Sequence, residues 1–484
     1  MRIIFFIISF LYLATLSSQI TFQKTYGYQY TDFGSSVETT PDNGYIVTGG
    51  SQLYEWPWGQ WGLDTFAVYT IKVNMYGDTI WTKRIRINDH DRGQCVINTM
   101  DGNYVITGTT YVADPYPSFN YEVRIFLLSL DENGNENWRK TFSEHGEYGH
   151  YIQQTLDHGF IITGDKGVID SSYNVLLIKT DIQGNVMWRQ QYGGLETDNG
   201  YYVEITADSG YMIVGSTRSM GAGETDMYLI KTDQDGNLEW SRSYGGWNYE
   251  WGFHGQQTRD GGYILVGRSR YPNDDDVLCL VKTNHLGDSM WTKKYMLYKE
   301  STGNCVRQTM DQGYIITGRT DSATLRPHMF LMKTDSLGNE EWARIFDDQV
   351  SAGFSVKQTS DSGYIITGGM GPYTEKFNVV LLKLDREGML ISGIQTHEPA
   401  SINIKIFPSP FTSSANLVYT LDEPSFVTIE FFNSHGQFIQ KKELQQPKGE
   451  QRVKWNTEYL PSGIYFCRIY LSTGECGTSK LLKY

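Results

Sequence analysis

The chain has 484 residues, with 55 acidic against 41 basic side chains, a net charge of −14 and 14% aromatic residues. That balance excludes a partner held by its phosphate backbone, because nucleic-acid affinity is drawn from clustered Lys and Arg. Beyond the first residues no window approaches the roughly 20 apolar residues of a membrane helix, so no membrane span is expected after the leader.

The opening "MRIIFFIISFLYLATLSSQ" places one Arg before an apolar run and ends in small residues, the layout of a cleavable signal peptide over residues 1–18. The next stretch, "ITFQKTYG" (20–27), begins in mid-strand. From there one unit recurs. "NGYIVTG", "GNYVITG", "HGFIITG", "SGYMIVG", "GGYILVG", "QGYIITG" and "SGYIITG" end at Gly49, Gly108, Gly164, Gly215, Gly267, Gly318 and Gly368. A second motif such as "IKTDIQGNVMW" follows each, its Trp at Trp81, Trp138, Trp188, Trp240, Trp291 and Trp342, with Ile391 at the seventh place.

Within a unit, short runs rich in Tyr, Ile, Val and Thr are bounded by Gly, Asp and Asn, the signature of strands joined by tight turns. Four strands every 50 residues or so predict an all-β chain, a seven-bladed β-propeller over residues 19–390. The first hairpin carries Thr-x-Asp-x-Gly (Thr359, Asp361, Gly363), with positive φ expected at the Gly. The second carries Asp-x-x-Gly (Asp181, Gly184). Each Trp is expected to cover the junction with the next blade, contributing at most about 4–6 kcal/mol. "ITFQKTYG" aligns with "MWRQQYGG", so Phe22 takes the Trp place and Tyr26 the Tyr place. The N-terminal strand is therefore expected to complete the last blade and close the ring.

The turns within each blade repeat, whereas the connections on the opposite face vary, and binding residues concentrate on such loops. That face is aromatic: Tyr54, Trp56, Trp58 and Trp61 in the first unit, Tyr116 in the second, and Trp247, Tyr249 and Trp251 in the link from the fourth to the fifth. Two readings stand. Long loops bury their own rings, or they offer planes that stack on sugar or anchor a protein. Asp274, Asp275 and Asp276 are the carboxylates suited to a hard cation such as calcium, against the plainer reading of a solvated acidic loop; no other cofactor is expected. His90, His145, His150, His254 and His328 are placed on variable-face loops, with no catalytic spacing among them. Five cysteines in no paired pattern predict mostly buried free thiols.

Two turn motifs resemble known ones. Thr-x-Asp-x-Gly is similar to the Asp-box of sialidase-type propellers, and Asp-x-x-Gly-Asn-x-x-Trp to the docking motif of quinoprotein propellers; both resemblances imply scaffolding. The repeat as a whole resembles secreted bacterial propellers built from "GYIITG" and "KTDxxGNxxW" units. After a linker at 391–401, residues 402–484 read as a small Ig-like β-sandwich of five or six strands. Pro408, Pro410, Gly436, Gly463, Tyr465, Lys480 and Lys483, in that order, resemble the C-terminal sorting domain of the type IX secretion system of Gram-negative bacteria. Ser409 departs from the usual Asn. The resemblance implies export across the outer membrane through that machinery, and release or anchoring at the cell surface. The function expected is a secreted or surface binding module for glycan, with a polysaccharide-active enzyme or a protein-binding adhesin as the alternatives.

Overall fold

The computed structural model describes residues 19–53, 65–88, 90–113, 121–168, 172–270, 275–321, 326–346, 349–372, 376–390, 404–421, 424–433, 438–471 and 476–484. The signal segment expected at 1–18 and the linker expected at 391–401 lie outside them. Every regular element among the described residues is a strand, and among them there is no helix long and apolar enough to cross a membrane. The chain divides into two units, residues 1–391 and 392–484.

The first unit holds six four-stranded antiparallel meanders, of which blade one is Asp32–Thr39, Tyr45–Gln52, Phe66–Val73 and Thr79–Ile85 in hydrogen-bonded order. A seventh sheet takes three strands, Val350–Gln358, Tyr364–Gly371 and Asn378–Leu384, from the end of the repeat and its outer strand, Phe22–Tyr26, from the beginning. Phe22 lies opposite Lys383 and Tyr26 opposite Val379. Each sheet packs on the next, and blade one packs on blade seven. Val37 and Tyr45 share one core cluster with Phe22, Ile365 and Leu381. The ring of blades is closed. Second and third strands such as Tyr45–Gln52 and Phe66–Val73 are buried at every residue, because a sheet covered on both faces needs continuous apolar runs.

The junctions between blades follow one pattern. Gly236, at φ +79°, would put a Cβ 2.7 Å from Trp188 of the preceding blade, and Gly77, at φ +74°, 2.7 Å from Phe22. Only glycine combines that φ with a ring pressed on its α-carbon. The Tyr four residues further along donates to the same turn: Tyr192 to the Gly236 carbonyl and Tyr26 to that of Gly77, both at 2.6 Å. Phe22 and Tyr26 thus do for the seventh junction what Trp188 and Tyr192 do for another. Each Trp of the repeat is half-buried, so its contribution falls below the ceiling set for full burial.

The first hairpin corrects an expectation. Positive φ falls on the residue before the Gly, at Ser209 (φ 69°) and Gln312 (φ 70°), rather than on the Gly. The Gly is needed because a Cβ at Gly210 would lie 2.2 Å from the Thr232 carbonyl. Asp208 accepts from Thr206 Oγ1 at 2.5 Å and from the Gly210 N–H at 3.0 Å. A buried Lys231 from the third strand completes this turn, 2.9 Å from Asp208.

The second unit has seven strands where five or six were expected, the extra one being the three-residue Lys405–Phe407. They form a three-stranded and a four-stranded antiparallel sheet. Trp455 is fully buried and stacks on Phe431 at 4.1 Å and 10°. Of the motif residues, Tyr465 donates to the Pro461 carbonyl at 2.6 Å, and buried Lys483 donates to the Thr457 carbonyl at 2.6 Å. Pro408, Pro410 and Lys480 are exposed, Gly463 opens its strand, and Gly436 lies outside the described residues. Cys95, Cys279, Cys305 and Cys467 are buried free thiols.

Candidate functional site

On the variable face, Tyr54, Trp56, Trp58, Trp61, Tyr116 and Asp274 lie outside the described residues. Tyr249 and Trp251 are brought together on blade five, and Trp247 precedes them by two residues in sequence. Trp247 sits in the crossover from blade four and is 87% exposed. Tyr249 and Trp251 are not on a loop: they open the inner strand Tyr249–Gln257, where aromatic and β-branched types pack well on a pleated surface. Their rings stack at 5.4 Å and 9°.

Arg268 lies over the Trp251 ring at 4.2 Å and Arg270 at 5.4 Å. Both guanidinium groups are held by Asp276, at 2.7 Å and 2.9 Å. Of the three carboxylates expected to suit a cation, Asp274 lies outside the described residues and Asp276 is the one that pairs with these arginines. Asp276 is buried and gives one carboxylate oxygen to each arginine. Among the described residues no group of three His, Cys, Asp or Glu is arranged to hold a metal ion.

The loops of this face are tied down by buried acids two residues before the inner-strand glycines. Asp91 accepts from the Ile87 and Asn88 N–H groups; Asp198 accepts from Gly194 and Ser219. Burial pushes the Asp91 carboxyl up, against the hydrogen bonds that favour its charge.

A second cluster lies on the axis. Every inner strand carries a bulge just after its glycine, between Gly149 and Tyr151, Gly200 and Tyr202, and Gly252 and His254 among others. The extra residue re-aims the next side chain. Two ladders of rings result across blades three to five: His150 to Tyr201 at 5.4 Å and Tyr201 to Phe253 at 5.7 Å, then Tyr151 to Tyr202 at 4.4 Å and Tyr202 to His254 at 3.9 Å. From blade six Arg307 crosses to donate to the Tyr202 and Tyr151 hydroxyls at 3.0 and 3.1 Å. Residues from all seven inner strands line the cavity these groups share, about 110 Å³ in volume.

His150 and His254 are therefore axial strand residues, not loop residues. His90 opens an inner strand and His328 lies within a third strand, both buried. A sequence signal was present in the Gly-x-x-Val steps such as "GSSV", "GYYV" and "GNCV" before the first hairpin of five blades, with "GHYI" and "GFHG" in the third and fifth. Their x positions look like ordinary strand residues until the ring brings seven of them to one axis.

A closed propeller joined to a terminal β-sandwich defines the class, and the sandwich is matched by sequence. Residues 405–483 fit the secretion system C-terminal sorting domain. The chain is thus exported, to be secreted or held at the cell surface, with a type IX sorting domain at its end. By structure the chain is similar to a fungal alcohol oxidase of the AA5 family in complex with copper (TM-score 0.42, 11% identity, 96% of this chain and 99% of that one). It is also similar to Sqt1 from Chaetomium thermophilum (0.42, 10%, 82% and 97%). A third similar structure is the Trypanosoma rangeli sialidase in complex with the inhibitor DANA (0.38, 7%, 93% and 87%). None of these likenesses bears on what this chain binds. No curated protein matches it by sequence.

Proposed function

We propose that the propeller is a binding module delivered by its sorting domain, and that it takes glycan on the blade-five ledge of Trp247, Tyr249 and Trp251. The observation that carries this reading is Trp247, a large ring left 87% exposed two residues before a stacked pair in the chain. A flat apolar ring with a polar surround suits the C–H face of a pyranose, while Arg268 and Arg270 offer donors to its hydroxyls. Asp276 fixes both arginines from beneath, so the ledge is rigid before any ligand arrives and loses little entropy on binding.

A glycan array probed with the purified protein tests this. Retention of a defined set of glycans is expected, with affinity about tenfold lower or worse in Trp247→Ala and Tyr249→Ala and the melting temperature unchanged. An array left bare by the wild-type protein removes the glycan reading.

A further inference from the structure

The axial cavity has a surplus of hydrogen-bond donors. Arg307 spends two of its nitrogens on the Tyr151 and Tyr202 hydroxyls, and each phenol oxygen that accepts from a guanidinium still has its own O–H to donate. Arg307 Nε is buried without a partner, and so are both ring nitrogens of His254, which is only 6% exposed. Leaving such groups unpaired costs about 1–3 kcal/mol each. Three side chains from blades three, four and six, joined by a histidine from blade five, thus converge on a space with more to give than to take.

Two cations, Arg307 and Lys357, act on the His254 ring. Burial, then Arg307 and Lys357, hold the His254 imidazole neutral well below its ordinary range. Of the carboxylates near this depth, Glu38 is paired with Lys357, and Glu204, whose charge acts on Arg307, accepts from the Gln257 N–H at 2.7 Å. A cavity of about 110 Å³ holds the volume of about three or four waters, enough for a carboxylate group and little more. The tilted rings of Tyr202 and His254, 3.9 Å apart, wall the cavity.

We propose that the axial cavity is a binding site for a carboxylate, held by Arg307, the Tyr151 and Tyr202 hydroxyls and the His254 imidazole. The carboxylate arrives as a small free acid anion or as the acidic end of a larger ligand. This site is separate from the blade-five ledge and stands or falls independently of it.

The test uses the full chain, labelled at histidine, with His254→Phe identifying the His254 signal in proton–carbon spectra. Acetate, acetamide and a uronic disaccharide are titrated at one ionic strength set with sodium chloride. Acetate is expected to shift the His254 signal saturably and to raise its titration midpoint, while acetamide and chloride do not. Tyr151→Phe and Tyr202→Phe keep both rings and are expected to weaken acetate binding about tenfold each. A shift with the disaccharide but not with acetate assigns the site to the acidic end of a larger ligand. The proposal is overturned if neither carboxylate shifts the signal, if acetamide acts like acetate, or if both Phe variants bind as the wild type does.

Discussion

At the scale of single residues, ionised side chains decide how the blades respond to pH. Burial opposes charge on Asp42, Asp157 and Asp208, but hydrogen bonds from lysine, threonine and backbone outweigh it and hold each carboxyl at about 2. Their folded values lie below the ordinary 3.8, so the stability they add is present above about pH 4 and lost as pH falls toward 2. A melting series across that window is expected to show a steep drop. These carboxylates are about half exposed, so screening tempers the slope. Asp226 behaves in the opposite sense. Burial, then the charge of Glu250, raise it to about 6, so ionising it costs stability as pH climbs from about 4 through 6. Asp226→Asn is expected to stabilise the protein by about 1–2 kcal/mol at pH 7.5 and by nothing near pH 4, read from paired denaturant melts. Neither behaviour was legible in the sequence. Asp208 was read as a turn former, and the Lys231 that lowers its pKa comes from a strand that meets the turn only after folding.

At the scale of elements, the hairpins and the ring stacked on each are the repeating joint. Gly236→Ala would force a Cβ into Trp188 at a φ of +79° and is expected to cost about 1–3 kcal/mol. Gly102→Ala, also at positive φ but with nothing within 4 Å, is expected to cost about 1 kcal/mol or less. The difference between the two, measured by chemical denaturation, isolates the contact from the backbone effect. Period and turn chemistry made the strands, the blade number and the Trp and Tyr alignment of "ITFQKTYG" readable before any coordinates. The start of each inner strand was harder. "GGWNYEWGFHG" looks like an aromatic loop because its glycines and rings break the alternation, yet Tyr249–Gln257 is a strand whose bulge absorbs the irregularity. The same bulges carried the histidines to the axis, and a one-dimensional pattern has no means of showing which residues meet around a ring.

At the scale of the whole molecule, the two units divide the work: one presents surfaces and the other directs export. Removal of residues 405–483 is expected to leave a folded propeller inside the cell envelope, with the intact chain found outside or at the surface; fractionation and immunoblotting decide it. Deletion of residues 19–30 is expected to lower the melting temperature by several degrees or cause aggregation, because blade seven would then end in the unpaired strand Asn378–Leu384. Pairing the first strand with the last also sets a clock. A ribosome makes Phe22–Tyr26 first and Asn378–Leu384 some tens of seconds later at about 5–20 residues per second. Throughout that interval no complete ring can exist, although the other six blades are built from consecutive strands. The closed ring is thereby out of reach until nearly the whole repeat has been made.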